Sequence, residues 1–531
     1  MRQSTDNQLN ICVINTGGTI SCVGNPLAPM TAHDFAETSQ RILNPILQTA
    51  FPHTTIRYAP SLRFSQSASG TLDSTNLQPS DWCVIAGYIL DHYTEFDGFV
   101  ILHGTDTMDF SGAGLPFLLN VVDPNGFGAA VLSKPVIITG SQVPMYYQGT
   151  DGAGLQLKFN TDAYQNFCGA IACARLGLPE VGVYFDSLLF RGSRVLKINA
   201  SQFRAFDSPN YPPLAKCGIE LELAPQYLLP GPVDKTVSLD NPAALARAQA
   251  QLAAIRAGID SHPVMQFGAF PARYSAADGT ALIADLLTAC IAKGLKGLVL
   301  ESYGEGNFPS GNPDAPQKGA ICRALKAGAD AGLIILNCTQ VFAGTVDESA
   351  YAAGAWLPKV GALNAADMTP MAGFAKTILL LAAAAHHGWA LADVKRLLQT
   401  NLCGEMQSVS RLDSRHNDVL LPGQSIRTLD GSASLFNDPK RGPQLIAAGG
   451  DVLWSPFDNI NTGKPGRLIM QNDGNLVLYD DNNTALWASE TAVPSGAASA
   501  LMLSGSATDG VGLGVYDYAH GRLEKRLFGS K

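Results

Sequence analysis

Two short segments carry threonines in a setting where a hydroxyl could act as a nucleophile. The first is TGGTI at residues 16–20, and the second is HGTDTM at residues 103–108. A threonine hydroxyl attacks poorly until a neighbouring base or cation activates it. In the second segment Asp106 follows Thr105 directly, and Lys197 supplies an amine further along the chain. Such a set can pass the hydroxyl proton to the amine while the carboxylate orients the amine, which makes both segments candidates for catalysis.

Each segment alone also has an ordinary structural interpretation. Two successive glycines permit a tight turn and a close approach of a ligand, and TGGT by itself is found more often in turns than in catalytic sites. We interpret His103 as a hydrogen-bonded structural histidine rather than a general base. A phosphate-binding loop is excluded, because the sequence contains no G-x-x-x-x-G-K-[ST] run.

Both segments directly follow short apolar runs that we predict to be buried strands of one sheet. Each run is rich in β-branched residues and bounded by Gly, Asn or Asp, and helix-like stretches lie between the runs. The predicted strands are 11–15, 98–102, 136–140 and 181–185, and the predicted helices are 110–122 and 152–167. Alternating strands and helices indicate a mostly parallel α/β sheet, in which ligands bind beyond the carboxyl ends of the strands.

A second alternating series follows the proline-rich segments at residues 208–213 and 229–232, which mark a domain boundary. An alanine-rich stretch at 242–258 predicts a helix beside this linker. The later predicted strands are 264–267, 297–301 and 333–337, and the later predicted helices are 278–293, 317–327, 370–386 and 391–400.

The composition changes after about residue 417, where Gly, Asn, Asp and Ser increase and helix signals end. Apolar runs at 468–470 and 476–479 flank the sequence NDGN, a combination typical of a β-hairpin, so we predict an all-β module. The complete predicted division is an N-terminal α/β domain at 1–214, a linker with a helix at 215–262, a second α/β domain at 263–416 and the all-β domain at 417–531.

The overall composition excludes several classes of partner. The net charge is −9, from 36 Lys and Arg against 45 Asp and Glu, and no run of five basic residues occurs, which argues against nucleic-acid binding. The most apolar stretch, residues 378–385, is much shorter than the roughly 20 residues that span a bilayer. A polar N-terminus without the features of a secretory signal predicts a cytoplasmic protein.

The ten cysteines form no C-x-x-C pair, so neither a zinc ribbon nor a thioredoxin-like site is indicated. All ten precede residue 404 and therefore fall in the α/β part. This placement favours a reducing compartment over a disulfide framework. We expect neither a metal nor an organic cofactor.

Several motifs occur in one order between about residues 9 and 410, and together they are far more specific than any single one. This region closely resembles L-asparaginases, in particular the cytoplasmic bacterial type. The motifs are NTGGTI (15–20), LDS (72–74), DGFVILHGTDTM (97–108), TGSQVP (139–144), RGSR (191–194), SYGEGN (302–307) and ADMT (366–369). The resemblance implies the asparaginase fold of two α/β domains with mostly parallel sheets, and it usually implies homo-oligomers, either dimers or tetramers.

The resemblance also implies an activity, the hydrolysis of L-asparagine to aspartate and ammonia through a covalent acyl-enzyme. By carry-over, Thr16 is the nucleophile that attacks the side-chain amide carbon. The second catalytic set, which activates a hydroxyl or water, consists of Thr105, Asp106 and Lys197.

The same resemblance assigns the substrate-binding residues. Asp106 pairs with the α-ammonium of the substrate. The other members are Asp73 and Ser74 at the α-carboxyl end, Thr75, Gly104 and Thr105. A zwitterionic amino acid needs a carboxylate for its ammonium and hydroxyl or amide donors for its carboxylate, which agrees with this set. Backbone amides at strand-end turns are suitable donors to a developing oxyanion.

The loop after the first motif departs from the family pattern. In the family this loop carries a tyrosine that hydrogen-bonds the nucleophile, whereas residues 21–29 read SCVGNPLAP and place Leu27 there. A supporting glutamate from the second domain has no clear counterpart near residues 345–347. Tyr146 and Tyr147 are candidates to replace the missing tyrosine. We expect an active enzyme with altered rate or specificity, with glutamine and modified asparagine as alternative substrates.

The tail carries its own motif at residues 471–479, where QNDGNLVLY fits the pattern Q-x-D-x-N-x-V-x-Y. Alternate residues of a strand share one face, so polar side chains there surround an apolar one. The residues of this candidate patch are Gln471, Asp473, Asn475, Val477 and Tyr479. Sugar hydroxyls need donors and acceptors, and the C–H face of a sugar needs apolar contact, so the patch suits a carbohydrate.

This motif resembles the mannose-binding site of bulb-type lectins. The resemblance implies a three-sided β-prism and a mannose-type glycan as partner. Segments 434–454 and 501–516 look like degenerate copies of the motif, so we expect a single weak sugar site.

Two classes of function follow from these observations. The first is an amidohydrolase with an appended glycan-binding module. The second is a carbohydrate-binding protein in which a degenerate asparaginase part serves as a scaffold, and the missing loop tyrosine favours it. The four retained groups of Thr16, Thr105, Asp106 and Lys197 favour the first class, which we adopt.

Overall fold

The structure of the protein is a computed structural model. It describes residues 8–529 apart from 125, 150–153, 225–226, 230, 233–234, 348–350, 408, 429–431, 458–463, 494–498, 507–509 and 518–521. Over these described residues, no helix combines the length and the apolar character that crossing a membrane requires.

The first lobe is organised around one mixed sheet. The strands of this lobe, eight of which form that sheet, are β1 (Leu9–Asn15), β2 (Cys22–Val23), β3 (Ala28–Pro29), β4 (Thr54–Tyr58), β5 (Gly98–Leu102), β6 (Val121–Val122), β7 (Gly128–Ala130), β8 (Val136–Thr139), β9 (Tyr146–Gln148), β10 (Leu155–Leu157), β11 (Val181–Phe185), β12 (Leu188–Arg191), β13 (Leu196–Lys197), β14 (Phe206–Asp207), β15 (Ala215–Cys217) and β16 (Leu221–Leu223). The helices of this lobe are α1 (Ala32–Ile42), α2 (Asn44–Ala50), α3 (Pro79–Asp91), α4 (Met108–Leu118) and α5 (Asp162–Ala174). The described strands of the sheet follow the order β16-β15-β12-β11-β8-β5-β1-β4. Strands β11, β8, β5, β1 and β4 are parallel to one another, which confirms the predicted α/β sheet, whereas β12 is antiparallel to β11.

Two helix predictions in this lobe need correction. The helix predicted at 110–122 is α4, which ends at Leu118 and is followed by β6. The helix predicted at 152–167 is confirmed over 162–167, which belong to α5, but it is wrong at residues 155–157, which form β10 and pair with β9. The helix α5 begins instead after Thr161, whose hydroxyl accepts a hydrogen bond from Ala163 N at 3.1 Å and caps the helix. Residues 152–153 lie outside the described residues.

Alternate residues of β1 face two different hydrophobic cores, because successive side chains of a strand point to opposite faces of the sheet. Cys12 and Ile14 pack with residues of α3 and α4, whereas Ile11 and Val13 pack with residues of α1 and α5. Both faces of the sheet are therefore covered, which is why its central strands β5, β8 and β11 are buried along their whole length.

The second lobe follows helix α6 (Pro242–Gly258), which lies where the alanine-rich stretch predicted it. Its other elements are β17 (Val264–Gly268), β18 (Tyr274–Ser275), β19 (Thr280–Ala281), α7 (Leu282–Ala292), β20 (Gly297–Ser302), α8 (Ala320–Asp330), β21 (Ile334–Thr339), β22 (Ala362–Asn364), α9 (Pro370–His387) and α10 (Leu391–Leu398). Strands β17, β20, β21 and β22 form a parallel sheet in that order. Helix α9 packs against this sheet and against α4, so the two lobes share a core.

A buried ion pair fixes the segment that leads from α10 to the tail. Lys376 on α9 and Glu405 are both fully buried, and Lys376 Nζ lies 2.6 Å from Glu405 Oε1. The ammonium also donates to Leu398 O and Thr400 O, at 3.1 and 2.5 Å. Burial opposes ionisation of Glu405, but Lys376 outweighs it and holds the pKa of this carboxyl below its usual range. The two charges compensate each other inside the protein.

The tail contains three antiparallel sheets, each of four described strands. Its strands are β23 (Arg411–Asp413), β24 (Val419–Leu420), β25 (Ser425–Arg427), β26 (Ala433–Asp438), β27 (Gly442–Ala447), β28 (Val452–Trp454), β29 (Pro465–Met470), β30 (Leu476–Asp480), β31 (Ala485–Ala488), β32 (Ser499–Ser506), β33 (Gly510–Asp517) and β34 (Arg522–Phe528). The sheet orders are β23-β32-β33-β34, β24-β29-β30-β31 and β25-β26-β27-β28. Each sheet therefore joins one strand from the start of the tail to three later strands.

The three sheets surround a common hydrophobic core. Leu412, Leu420 and Ile426, one from each leading strand, are fully buried there with residues from the later strands of all three sheets. The tail begins with β23, ahead of the predicted boundary at 417, because residues 411–413 pair with β32. Strands β15 and β16, which fall in the predicted linker, extend the sheet of the first lobe.

Two arginines attach the tail to the first lobe. The guanidinium groups of Arg411 and Arg415 lie 4.8 and 5.3 Å from the ring centre of Phe127. Arg415 also donates to Gly126 O at 2.9 Å and to Asp413 Oδ2 at 2.8 Å. Cation–π contacts of this kind stabilise by about 0.5–2 kcal/mol each, so the turn at Phe127 is an anchor for the tail.

Two glycines let the turn after β1 touch two other turns of the first lobe. Gly17 and Gly18 have φ values of 120° and 77°, in the region that favours glycine. A Cβ atom on Gly17 would lie 2.0 Å from Leu72 O, and one on Gly18 would lie 2.3 Å from Gly104 Cα. The backbones of the two threonine-containing segments are therefore in direct contact.

Replacement of Gly18 tests this close approach. We expect Gly18→Ala to lower the free energy of unfolding by roughly 3 kcal/mol or more, because it adds a steric clash to backbone strain. Gly177→Ala is the matched control, since Gly177 has a φ of 66° and open space at its Cβ position. The control should lose only about 1 kcal/mol. Urea unfolding measures both values, and equal losses would contradict the close approach.

Removal of the Phe127 ring tests the attachment of the tail. Phe127→Ala should increase tryptic cleavage after Arg411 and Arg415 about tenfold, because a loss of about 1.4 kcal/mol raises the open population by that factor. Phe51→Ala is the control, since Phe51 contacts Arg175 at 5.2 Å and lies in the first lobe away from the tail. Mass spectrometry of timed digests gives the rates. Cleavage at the same rate in both variants would show that Phe127 does not hold the tail.

Candidate active site

The candidate nucleophile lies where β1 ends. Thr16 is buried, and its backbone N and its Oγ1 both donate hydrogen bonds to Leu102 O, at 3.0 and 2.8 Å. Leu102 is the last residue of β5, and it is in register with Asn15, the last residue of β1. The pairing of these two strands therefore fixes both the position of Thr16 and the direction of its hydroxyl.

The backbone amides of the turn after β1 are already occupied. Gly17 N donates to Asn15 Oδ1 at 3.1 Å, and Gly18 N donates to Leu72 O at 3.1 Å. These N–H groups hold the turn in place. The oxyanion donors that we expected at strand-end turns are therefore not Gly17 and Gly18.

The structure brings Thr105, Asp106 and Lys197 together, although Lys197 is 92 residues from Thr105 in the sequence. Lys197 Nζ donates to Thr105 Oγ1 at 2.9 Å and lies 2.6 Å from Asp106 Oδ1. Thr105 is buried, whereas Asp106 is 52% exposed. The ammonium thus bridges a buried hydroxyl and a carboxylate that reaches solvent.

A second carboxylate, Asp109, contacts the same lysine and was not predicted from the sequence. Its Oδ2 accepts a hydrogen bond from Lys197 N at 3.2 Å, and its Oδ1 accepts one from Phe110 N at 3.0 Å. Asp109 is 3% exposed, and burial raises the pKa of its carboxyl to about 6. Its place in the first turn of α4 is a sequence signal, but many exposed helix-capping acids share that signal.

The predicted substrate-binding residues form a turn beside the same segment. Asp73 caps the short helix that begins at Ser74, and its Oδ1 accepts hydrogen bonds from Thr75 N and Thr75 Oγ1, both at 3.0 Å. Ser74 is buried, and its Oγ accepts a hydrogen bond from Asp106 N at 3.2 Å. A Cβ atom on Gly104 would lie 2.4 Å from Ser74 Oγ, so these two residues are in tight contact. The structure therefore brings the set together, with the Asp73 carboxylate bonded within the turn.

His103 is fully buried and has two polar neighbours. Its Nδ1 lies 2.6 Å from Gly104 O, and its Nε2 lies 2.8 Å from Ser111 Oγ. Burial lowers the pKa of this imidazole to about 4, so the ring is neutral at physiological pH. These contacts confirm the interpretation of His103 as a structural histidine.

The TGSQVP motif contributes an amide side chain beside Thr105 that we did not single out from the sequence. Thr105 Oγ1 donates to Gln142 Oε1 over 3.5 Å, and Gln142 Nε2 donates to Gln202 O at 3.2 Å. The buried Asp162 accepts hydrogen bonds from Gln142 N at 2.8 Å and Val143 N at 3.1 Å. The loop that carries Gln142 is therefore rigidly held by α5.

Neither candidate tyrosine replaces the missing loop tyrosine. The loop forms the β2–β3 hairpin, and Leu27 at its turn is 56% exposed. Tyr146 is buried against Phe35, and its hydroxyl lies 2.8 Å from Ser39 Oγ. Tyr147 Oη donates to Gln156 at 2.7 Å within the β9–β10 hairpin. Both tyrosine hydroxyls are bonded away from Thr16.

The RGSR and ADMT motifs meet across the two lobes. Arg194 Nη1 lies 2.6 Å from Asp367 Oδ2, and Arg194 Nε donates to Gly404 O at 2.7 Å. Asn210 Nδ2 donates to Gly344 O, and Gly344 N donates back to Asn210 Oδ1, at 3.0 and 2.9 Å. These bonds fix loops of the second lobe to the first.

The five residues of the candidate sugar patch lie on the β29–β30 hairpin. Gln471 Nε2 donates to Tyr479 Oη at 2.9 Å, and Asp473 Oδ1 accepts a hydrogen bond from Asn475 N at 2.9 Å. Val477 is only 3% exposed, so it offers much less apolar surface than the strand pattern predicted.

Two residues outside the motif also contact this patch. Ser489 Oγ and Thr491 N donate to Asn475 Oδ1, at 3.1 and 3.2 Å. The segment after β31 therefore lies against the hairpin, and sequence alternation alone did not reveal this contact.

The residues that the structure describes contain neither a candidate metal-binding cluster nor a disulfide bond. There, no three or more His, Cys, Asp or Glu side chains are arranged to hold a metal ion. The ten cysteines are free thiols.

Two family models match the α/β part of the chain. The model for the asparaginase N-terminal domain matches residues 10–227, and the model for the glutaminase/asparaginase C-terminal domain matches residues 280–395. Both matches end before the tail. The first covers the Thr16 turn together with Thr105, Asp106 and Lys197.

The most similar proteins include L-asparaginases and one relative of another name. L-asparaginase 1 of Escherichia coli (strain K12) is 30% identical over 398 residues, which are 75% of this chain and 98% of that protein. The 60 kDa lysophospholipase of Mus musculus is 34% identical over 335 residues, which are 63% of this chain and 49% of that protein. The chain thus matches about half the length of the mouse protein.

Among solved structures, the crystal structure of L-asparaginase I from Vibrio cholerae superposes with a TM-score of 0.53 and 27% identity. The superposition covers 75% of this chain and 99% of that one. The chain therefore belongs to the asparaginase/glutaminase family and contains both the N-terminal and the C-terminal domain of that family.

Proposed function

We propose that the protein is a homo-oligomeric L-asparaginase in which the α/β part hydrolyses the side-chain amide and the tail that begins with β23 binds a mannose-type glycan. The observation that supports the hydrolase proposal best is the position of the Lys197 ammonium. It is bonded to both Thr105 Oγ1 and Asp106 Oδ1, at 2.9 and 2.6 Å. Family membership supports the reaction class.

In the proposed first step, Thr16 Oγ1 attacks the carbon of the substrate amide. Leu102 O orients the Thr16 hydroxyl, but a neutral carbonyl does not take up its proton. The proton passes to the leaving nitrogen, with the amine form of Lys197 as the intermediate base. The new Oγ1–C bond remains, the C–N bond breaks, and ammonia departs.

The second step is hydrolysis of the Thr16 ester by water. The Thr105 hydroxyl and the Lys197 amine accept the proton of the attacking water and then return it. The ester C–O bond breaks, Thr16 recovers its proton, and aspartate is released. General acid–base catalysis of this kind contributes typically about 10²–10⁴-fold to the rate.

We assign different roles in substrate recognition to Asp106 and Asp73. The half-exposed Asp106 carboxylate is available to the substrate ammonium while it also bonds Lys197. Asp73 shapes its turn through Thr75 and does not bind the substrate carboxylate directly, because two carboxylates repel each other. The Ser74 hydroxyl is the matching donor for that end of the substrate, because the Thr75 hydroxyl already donates to Asp73.

Because the loop tyrosine is absent, activation of Thr16 is left to the set of Thr105, Asp106 and Lys197. We therefore propose that the enzyme differs from tyrosine-bearing relatives in rate or specificity. Glutamine and modified asparagine are the alternative amides. Because one relative is named a lysophospholipase, a lysophospholipid ester belongs in the same assay panel.

Variants of Thr16 test the hydrolase proposal. Thr16→Ala should lower kcat for ammonia release at least about 10³-fold, because it removes the nucleophile, whereas Thr16→Ser should retain part of the activity. Thr49→Ala is the control, because Thr49 is an exposed threonine on α2 whose hydroxyl bonds only locally, to Pro45 O at 3.3 Å. A coupled ammonia assay over asparagine and glutamine measures the rates.

Two outcomes would contradict the proposal. Equal ammonia release by Thr16→Ala and the unaltered protein would exclude Thr16 as the nucleophile. Absence of product from every amide and ester would favour the alternative, a carbohydrate-binding protein on an asparaginase scaffold.

The sugar-binding proposal for the tail is supported by its polar hairpin. Gln471 and Tyr479 are bonded to each other at 2.9 Å, which orders two side chains that carry donors and acceptors. Asn475 is held by Ser489 and Thr491, so its amide is fixed in direction as well. Pre-ordered polar groups reduce the entropy lost when a sugar binds.

Retention on a mannose resin tests this second proposal. Gln471→Ala combined with Asn475→Ala should abolish retention of the full chain, and Tyr479→Phe should weaken it by removing a single hydroxyl. Gln444→Ala, at a partly exposed glutamine on β27, is the control and should be retained like the unaltered protein. If the double variant is retained as well, the site assignment is wrong.

A further inference from the structure

Lys197 is held at both ends by one short segment of the chain. Its Nζ is bonded to Thr105 Oγ1 at 2.9 Å and to Asp106 Oδ1 at 2.6 Å. Its backbone N donates to Asp109 Oδ2 at 3.2 Å. Residues 105–109 therefore bind both the root and the tip of the same side chain.

The local structure around Lys197 makes the contact at its root important. Strand β13 has two residues and pairs only with the equally short β14 among the described strands. A lysine side chain loses about 2 kcal/mol of rotamer freedom when it is fixed. Hydrogen bonds at Nζ alone therefore leave the rest of the side chain free to change its rotamer. The contact of Asp109 with the backbone sets the starting point of that side chain.

The burial of Asp109 indicates more than a helix-capping role. A buried carboxylate is costly unless hydrogen bonds and a counter-charge compensate it. Asp109 has both, through Lys197 N, Phe110 N and the positive charge of Lys197. Asp81, in the first turn of α3, is also buried, but its oxygens bond Gln66 and Gln78. What distinguishes Asp109 is its partner, the lysine of the proposed catalytic set.

We infer that Asp109 is a positioning residue for Lys197, whose side chain it anchors at the root through its bond to the backbone N. This inference rests on the proposed function. A Lys197 side chain that is fixed at its root keeps its Nζ within bonding distance of Thr105 Oγ1 and Asp106 Oδ1. Asp109 bonds this lysine at its backbone N, so its proposed effect on the reaction is exerted through Lys197.

The inference carries a pH dependence with a defined direction. Lys197 on β13 is the charge that acts on Asp109, because Arg194 before β13 is bonded to Asp367 and Lys376 on the facing α9 is bonded to Glu405. Protonation of Asp109 below about pH 6 removes its charge and weakens its bond to Lys197 N. The rate should therefore fall as the pH decreases through about 6 and be sustained above it.

The experiment compares Asp109→Asn and Asp109→Glu with the control Asp81→Asn in the full chain. The first readout is the rate at which acetic anhydride labels Lys197 at pH 8, measured by peptide mass spectrometry. The second is kcat, KM and the pH profile of ammonia release. Asp81→Asn matches Asp109→Asn because both aspartates are buried in the first turn of a helix.

We expect Lys197 of Asp109→Asn to be labelled at least about threefold faster, because a lysine that is no longer anchored at its root leaves its bonds with Thr105 and Asp106 more often. Its kcat should fall about tenfold with KM changed by less than about threefold, and the acid limb of its pH profile should be lost. Asp109→Glu keeps the charge and should lie between Asp109→Asn and the unaltered protein in both readouts. Asp81→Asn should leave Lys197 labelling and kcat unchanged.

Unchanged labelling in Asp109→Asn would overturn the inference, whatever happens to kcat. Equal increases in Asp109→Asn and Asp81→Asn would also overturn it, because they would reflect general loosening. If the unaltered protein releases no ammonia from any amide, the proposed function fails, and the labelling rates still decide whether Asp109 positions Lys197.

Discussion

The in-register pairing of β1 and β5 at the centre of the first sheet is the constraint on which the site depends. Asn15 and Leu102 end the two strands at the same level, so the chain leaves both strands side by side. Thr16 then bonds Leu102 O through its backbone and its hydroxyl. Gly18 and Gly104 face each other beyond the strand ends, where a Cβ atom on Gly18 would lie 2.3 Å from Gly104 Cα. The carboxyl ends of these parallel strands form one edge of the sheet, and the candidate catalytic residues follow the strands at that edge.

Buried charges connect the site to the rest of the molecule. Arg194 links the first lobe to Asp367 in the second, and Lys376 with Glu405 fixes the segment that continues into the tail. Such pairs are weak contributors to net stability, but loss of one partner costs about 3–5 kcal/mol because the other charge is left uncompensated. Their effect is to specify one arrangement of the lobes. The same reasoning applies to Asp109, whose burial is compensated through Lys197.

The tail achieves its core by a different route. Each of its leading strands enters a different sheet, so the three sheets close around residues such as Leu412, Leu420 and Ile426. The chain between α10 and the first of these strands is short, and the arginines at 411 and 415 bind the first lobe at Phe127. The tail therefore has its own hydrophobic core and is attached to the α/β part at Phe127.

The sequence by itself determined the central strands, the long helices and the two threonine-containing segments, because these depend on local apolar periodicity and on turn residues. Helix α6 and strands β5 and β11 have the predicted bounds for this reason. The structure alone decided that Tyr146 bonds Ser39, that Asp109 holds Lys197, and that residues 411–413 already belong to the tail. The partners in each case are far apart in the sequence. Tyr146 and Ser39 are separated by 107 positions and Asp109 and Lys197 by 88, and residues 411–413 pair with residues 500–502. The order of the strands in the sheet determines which distant residues come into contact. The local sequence cannot indicate these partners, because they become neighbours only when the sheet has formed.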